Sequence, residues 1–129
     1  MIPEEERLAY IEKTFGIAFP LRIEPFIYEV AGHISEDYRG GYWHYYQLSN
    51  GGFYMYPESD HLFHADCDNG FVGDVTTKVL GVSACLYAFS NLSFSDHKRL
   101  SELCTQHYHW LREFVPEMGE EGQILAMCD

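Results

Sequence analysis

Two spacings in this chain use residue types that do chemistry. His61-x-x-His64-x-Asp66, with Asp68 close behind, carries the side chains of a metal site. Cys104 precedes His107 by one helical turn, the separation at which an imidazole takes the proton of a thiol and leaves a nucleophilic thiolate. Neither pattern is complete. On a strand His64 and Asp66 share a face while His61 falls in the preceding turn, and no Cys-x-x-Cys pair supplies the remaining ligands. Cys104 and His107 both lie on an apolar helix stripe, which reads as core packing. His107 and His109 stand two apart on that helix and point in different directions. Phosphate-cradling glycine loops, G-x-S-x-G and H-E-x-x-H are all missing from the sequence. The residues therefore read as a protein without catalytic residues, metal ligands or a cofactor, with a small metal- or cysteine-dependent enzyme as an alternative.

The elements that would position these groups follow from periodicity and turn signals. Pro3 and Glu4-Glu5-Glu6 suit a helix first turn, and Leu8, Ile11 and Phe15 continue at helical spacing until Gly16. A second helix starts near Glu24-Pro25, with Phe26, Ile27, Val30, Ala31 and Ile34 as its stripe. After Gly40-Gly41, Tyr42 to Ser49 reads as a strand. Asn50-Gly51 reads as a two-residue type I′ hairpin turn. That turn places Leu48 opposite Phe53 and Tyr46 opposite Met55 on one face. It places Tyr45 opposite Tyr56 on the other, with Gln47 opposite Tyr54 and Trp43 beyond. The second face is an aromatic ladder that a helix must cover or a partner must bind.

Leu62 to Cys67 forms a third strand with Phe63, Ala65 and Cys67 on one face, and Asp68-Asn69-Gly70 turns the chain again. Thr76 caps a helix over about 77–92 whose apolar residues nearly surround it, the mark of a central helix. A further helix from Ser95 or Asp96 carries Leu100, Leu103, Cys104, His107, Leu111 and Phe114 until Pro116, and a short helix follows between Glu120 and Met127. The expected fold is α+β, one domain over residues 1–129. An antiparallel, three-stranded or slightly larger β-meander packs with four to five helices.

Composition limits the partners. Eight Lys and Arg against twenty Asp and Glu give a net charge of −12, with 47% hydrophobic residues in the 129. That balance fits a globular chain and disfavours direct binding to nucleic acid. Acidity also raises mimicry of DNA, but the dense acidic runs are only Glu4–Glu6 and Glu120-Glu121, both at helix starts. The acidic N-terminus is unlike an export signal, and the charge-free run Val79 to Ser95 carries Ser83, Ser90, Asn91 and Ser93. The expectation is a cytoplasmic protein, not inserted in a membrane, with Cys67, Cys85, Cys104 and Cys128 reduced.

The block Tyr38-Arg39-Gly40-Gly41-Tyr42-Trp43-His44-Tyr45-Tyr46-Gln47-Leu48-Ser49-Asn50-Gly51-Gly52-Phe53-Tyr54-Met55-Tyr56-Pro57 resembles antirestriction proteins of the ArdB/KlcA family. The family signature reads approximately Y-x-G-G-x-W-x-[FY]-Y-x-L-S-N-G-G-F-[FY]-M-x-P. The resemblance extends to Asn69-Gly70-Phe71, Gly73 and the apolar helix after them, and more loosely to Arg7-Leu8 and Phe15-Gly16. Tyr56 departs from it, standing where a small residue is common. The resemblance implies a plasmid- or mobile-element-borne protein that relieves type I restriction of incoming unmodified DNA. It implies a partner in the type I restriction-modification complex or an associated host protein. It lends no catalytic residues. The surface expected to meet the partner is Trp43, Tyr45, Tyr54 and Tyr56 with the Asn50-Gly51 tip, because large aromatics with polar ends anchor interfaces. An acidic DNA mimic remains the alternative.

Overall fold

A computed structural model describes residues 1–128. Helix α1, Glu4–Thr14, begins at Pro3 with three glutamates in its first turn, and Gly16 leaves it at φ 62°. Its core face is narrower than the expected stripe. Ile11 and Phe15 are buried, whereas Leu8 is 80% exposed. A π-helical turn, Phe19–Ile23, runs directly into α2, Glu24–Ile34, which buries Ile27, Ala31 and Ile34.

The β structure corrects the expected meander. It consists of two separate antiparallel hairpins of two strands each: β1 (Trp43–Gln47) with β2 (Phe53–Pro57), and β3 (Phe63–Asp66) with β4 (Val72–Val75). The third strand forms where expected and buries Phe63, Ala65 and Cys67, but it pairs forward with β4 and not back with β2. The outer edge of β2 is already taken. Helix α3, Thr77–Leu92, lies along it at backbone distance. The Met55 N–H donates to Cys85 Sγ at 3.5 Å, the Cys85 thiol faces the Met55 carbonyl at 3.7 Å, and the Thr77 hydroxyl donates to the Pro57 carbonyl. Thr77, Gly81 and Cys85 recur every fourth residue, so one row of the helix satisfies an edge that would otherwise offer unpaired backbone groups to another strand.

Helix α3 is the centre of the protein, buried on every side from Val79 to Leu86 and again at Ala88 and Phe89. The Thr76 hydroxyl caps it by accepting from the Val79 N–H at 3.2 Å. Helix α4, Lys98–Phe114, starts slightly later than expected because the His97 ring, not Ser95 or Asp96, accepts from the Leu100 N–H. Leu100, Cys104, His107 and Leu111 form its core row. Pro116 does not end the chain's helical path. The last turn tightens into a 3-10 segment, Val115–Met118, and Gly119 at φ 78° turns the chain toward α5, Glu121–Cys128. The fold is thus α+β, with five α-helices and two small sheets among the described residues.

Candidate interaction surface

The hairpin that was expected to present the partner surface closes differently from a two-residue turn. Among the described residues no side-chain-bearing residue has positive φ, so Asn50 cannot take the first position of a type I′ turn. Ser49, Asn50 and Gly51 instead form a three-residue loop. The Gly51 N–H donates to the Leu48 carbonyl at 3.1 Å, and the Leu48 N–H donates to the Gly52 carbonyl at 2.8 Å. Gly51, at φ 101°, supplies the left-handed step that returns the chain to β2.

That extra loop residue shifts the register by one. Gln47 pairs with Phe53, Tyr46 with Tyr54, Tyr45 with Met55, His44 with Tyr56 and Trp43 with Pro57. Because strand side chains alternate, a one-residue shift regroups both faces. Trp43 and Tyr45 join Phe53 and Met55 on the inner face, leaving Tyr54 and Tyr56 on the other with His44 and Tyr46.

The expected surface residues are therefore mostly enclosed. Trp43 is 3%, Tyr45 8% and Tyr54 2% exposed. The Trp43 indole N–H donates to the Tyr38 hydroxyl at 2.9 Å, and its ring meets Tyr28 edge-on at 5.2 Å. Tyr45 packs beside Phe19 and Phe53, takes the Arg7 guanidinium on its face at 4.3 Å, and donates to Glu24 Oε2 at 2.6 Å. Burial, followed by the adjacent Glu24 carboxylate, raises the Tyr45 pKa, so the phenol remains a donor. Tyr54 stacks on Tyr46 at 5.1 Å under the first turn of α3, where Lys78 approaches its ring. Tyr56 is half-buried, 5.3 Å from His44, whose ring contacts Glu58 at 3.2 Å.

The Asn50-Gly51 tip is seated as well. Asn50 Oδ1 accepts from the Gly52 N–H at 2.9 Å, while its amide donates to the Trp110 carbonyl near the end of α4 at 2.8 Å. The Trp110 ring lies over Gly51, and its Cβ would be 2.8 Å from a side chain at Gly52. The tip leaves no room for anything larger than glycine against that tryptophan.

The remaining chemical clusters separate. His61 turns back to the Leu62 carbonyl, His64 pairs across the strands with Asp74 at 3.0 Å, and Asp68 pairs with His33 at 3.1 Å. The Asp74 hydrogen bond raises the His64 pKa. No group of three His, Cys, Asp or Glu among the described residues converges on a metal position. Cys104 is fully buried, and burial pushes its thiol up to about 12. His107 is enclosed by Phe15, Phe89 and Trp110, and burial drives its pKa down to about 4. Thiol and imidazole are thus both held neutral around pH 7, the opposite of an activated pair.

Two structural positions, Gly81 and Trp110, carry no mark in the sequence reading, and Asn69 is read there as a turn residue and not as a fastener. For Asn69 a signal was present, since Ser49-Asn50-Gly51 and Asp68-Asn69-Gly70 match in their last two residues.

Comparison with known proteins follows this architecture closely. The family model described as antirestriction protein matches residues 36–129. Antirestriction protein KlcA of Escherichia coli is 33% identical over 99% of this chain and 90% of its own length. The uncharacterized protein YafX of E. coli strain K12 is 34% identical over 99% of this chain and 85% of its own. A solved structure superimposes with a TM-score of 0.91 at 32% identity, covering 100% of this chain and 92% of that one. It comes from work on KlcA and ArdB proteins, reported to show a novel fold and antirestriction activity against type I DNA restriction systems in vivo but not in vitro.

Proposed function

Because the chain belongs to the antirestriction protein family, we propose that it relieves type I restriction of incoming unmodified DNA in the cell, by protein interaction and not by catalysis. The observation that carries this reading is the full-length likeness, at 32% identity, to a fold reported active against type I systems in vivo. The interaction part draws support from the opposed shifts of Cys104 and His107, which leave that nucleophile–base pair unactivated. The reported lack of activity in vitro for the related proteins favours a partner that includes a cellular component beside the restriction complex itself. The protein works as one domain over 1–129 in the cytoplasm. None of its described helices is long and apolar enough to cross a membrane. Of the hairpin residues expected at the contact, Asn50, Gly51 and Tyr56 remain half-buried, and they carry whatever part the hairpin plays there.

Plating unmodified phage on cells with a type I system tests the proposal. Expression of the protein raises plating toward the level of modified phage, and the Cys104→Ala variant does so equally well. Unchanged plating with the wild-type protein overturns the function. Loss of protection in a folded Cys104→Ala protein overturns the non-catalytic mechanism.

A further inference from the structure

Two clefts lie between helix α2 and strand β3. The first, about 360 Å³, is walled by Phe26, Val30 and Ile34 of α2, by Cys67 and by Tyr87 of α3. The second, about 450 Å³, lies at the end of α2 against His64 and Asp66. His33, Ile34 and Asp68 line both, so the clefts form one groove, crossed by the His33–Asp68 contact at 3.1 Å. Both side chains of that contact are well exposed, which makes it a weak strap.

The charge in this groove has one sign. Glu29, Glu36, Asp37, Asp66 and Asp68 line it, and no lysine or arginine among the described residues does. Arg39, the cation nearest in sequence, turns its guanidinium to the Glu36 carbonyl and stays outside the lining. The C-terminal end of α2 adds the negative end of a helix dipole. The β3 edge supplies backbone groups as well. The Cys67 N–H donates to the Phe71 carbonyl, so by alternation Ala65 and Phe63 bond β4 while His64 and Asp66 turn their backbone groups outward. Asp37 Oδ2 takes the outward His64 N–H at 2.9 Å, which places this edge against the end of α2. The outward N–H and carbonyl of Asp66 have no partner among the described residues.

We propose that this groove docks a basic, extended segment of a partner protein. One apolar side chain enters between Phe26, Val30 and Tyr87, arginine or lysine side chains meet Glu36, Asp37, Asp66 and Asp68, and the segment's backbone pairs with Asp66. The proposal rests on the interaction reading above and names the surface through which it operates. From Phe26 to Ile34 the helix advances about 12 Å, the reach of about four extended residues. Strand addition of this kind takes affinity from main-chain bonds and specificity from the side-chain pockets. The lining carboxylates repel DNA, and edge-to-edge pairing of two copies would set like charges against each other.

A blocked peptide of about nine residues, with a central leucine and arginines at alternating positions, serves as probe in a titration of the isotope-labelled protein. Glutamate in place of arginine, alanine in place of leucine, and Ca²⁺ or Mg²⁺ alone are the competing arms. The arginine–leucine peptide shifts the amide resonances of 29–37 and 64–68, and its alanine counterpart binds more weakly. Glu36→Lys with Asp66→Lys weakens it about tenfold or more. The same reversal at Glu113 and Glu117, outside the groove, leaves binding within about twofold. All four residues are exposed, so both variants keep the wild-type melting temperature. The proposal is overturned if the groove resonances do not move, if the glutamate or alanine peptide binds equally well, or if both reversals weaken binding alike. It is also overturned if either cation alone moves the same resonances, or if Glu36→Lys with Asp66→Lys protects phage as well as wild type. The titration contains no restriction system, so its failure is separable from failure of wild-type protection.

Discussion

Asn50 and Asn69 hold equivalent positions in two hairpin loops of one design, and each fastens its hairpin to the C-terminal part of a helix. Asn69 Oδ1 accepts from the Phe71 N–H, and its amide donates to the carbonyls of Ala126 and Met127 in α5. Asn50 does the same with Gly52 and with Trp110 in α4. In both loops the next residue is a glycine of positive φ, 101° at Gly51 and 97° at Gly70. The carbonyls of Ala126 and Met127 lie in the last turn of α5, where intrahelical donors run out and the Asn69 amide supplies one, whereas the Asn50 amide adds a second donor to a carbonyl inside α4. The Met127 carbonyl also accepts from the Tyr87 hydroxyl at 2.9 Å, which ties α5 to α3 at the same point.

Asn50→Asp and Asn69→Asp therefore each remove a donor and set a carboxylate against helix carbonyls. Each should cost about 1–3 kcal/mol in chemical denaturation. The two loops share no contact partner, so the double variant should lose close to the sum. Hydrogen exchange should rise at the end of α4 for the first and throughout α5 for the second. Equal exchange in both helices for either variant would refute the separate-fastener account.

Gly81 and Gly32 should respond to alanine in opposite directions. A Cβ at Gly81 would come within 2.3 Å of the Met55 carbonyl oxygen and 2.4 Å of Tyr56 Cβ, so α3 would have to leave the edge of β2. The change costs about 3 kcal/mol or more, because backbone and not a flexible side-chain end must move. It also separates Cys85 from the Met55 backbone. At Gly32, exposed in α2, the same Cβ meets only Tyr38 Cδ2 at 3.9 Å. There alanine should stabilise by roughly 0.5–1 kcal/mol through helix propensity alone. Thermal melts of the two variants check both signs.

Tyr54 and Tyr56, two apart on one strand, separate packing from contact. Tyr54 is 2% exposed beneath α3, and its truncation to alanine should cost about 3–5 kcal/mol. Tyr56→Ala should fold, because that side chain is half-buried and its hydroxyl reaches only the Met1 sulfur at 4.0 Å. Reduced phage protection by a folded Tyr56→Ala protein would support a hairpin share in the contact. Full protection would remove Tyr56 from the interface.

Legibility of this fold in its sequence depended on whether a signal was local. The cap at Thr76 and the all-round apolar pattern after it are local, and α3 matches the expected span closely. Asn50-Gly51 marks the hairpin correctly, but a two-residue and a three-residue loop both fit Leu48-Ser49-Asn50-Gly51-Gly52. Choosing between them decides which aromatics face inward. Strand β4 contains Gly73 and Asp74 among its four residues, so low strand propensity hid the true partner of β3. Closure of the β2 edge by Thr77, Gly81 and Cys85 is a long-range arrangement, and the periodicity of α3 says nothing of which row meets a strand.

His107 should set the acid limit of stability. Its ring is 1% exposed, packed 4.5 Å from Phe15 and 5.1 Å from Trp110, and its Nδ1 has no hydrogen-bond partner among the described residues. Burial lowers its pKa from 6.5 to about 4, because charging the ring would strand a cation among aromatics. Above pH 6.5 the ring is neutral folded and unfolded, and it adds no pH dependence. Between pH 6.5 and about 4 only the unfolded chain takes up the proton, so stability falls by about 1.4 kcal/mol per pH unit. Below about 4 both states are protonated and this contribution levels off. Urea midpoints across that range should show the slope in the wild type, and His107→Phe, which retains the aromatic packing, should flatten it. An equally steep loss in His107→Phe would assign the acid sensitivity to the carboxylates instead.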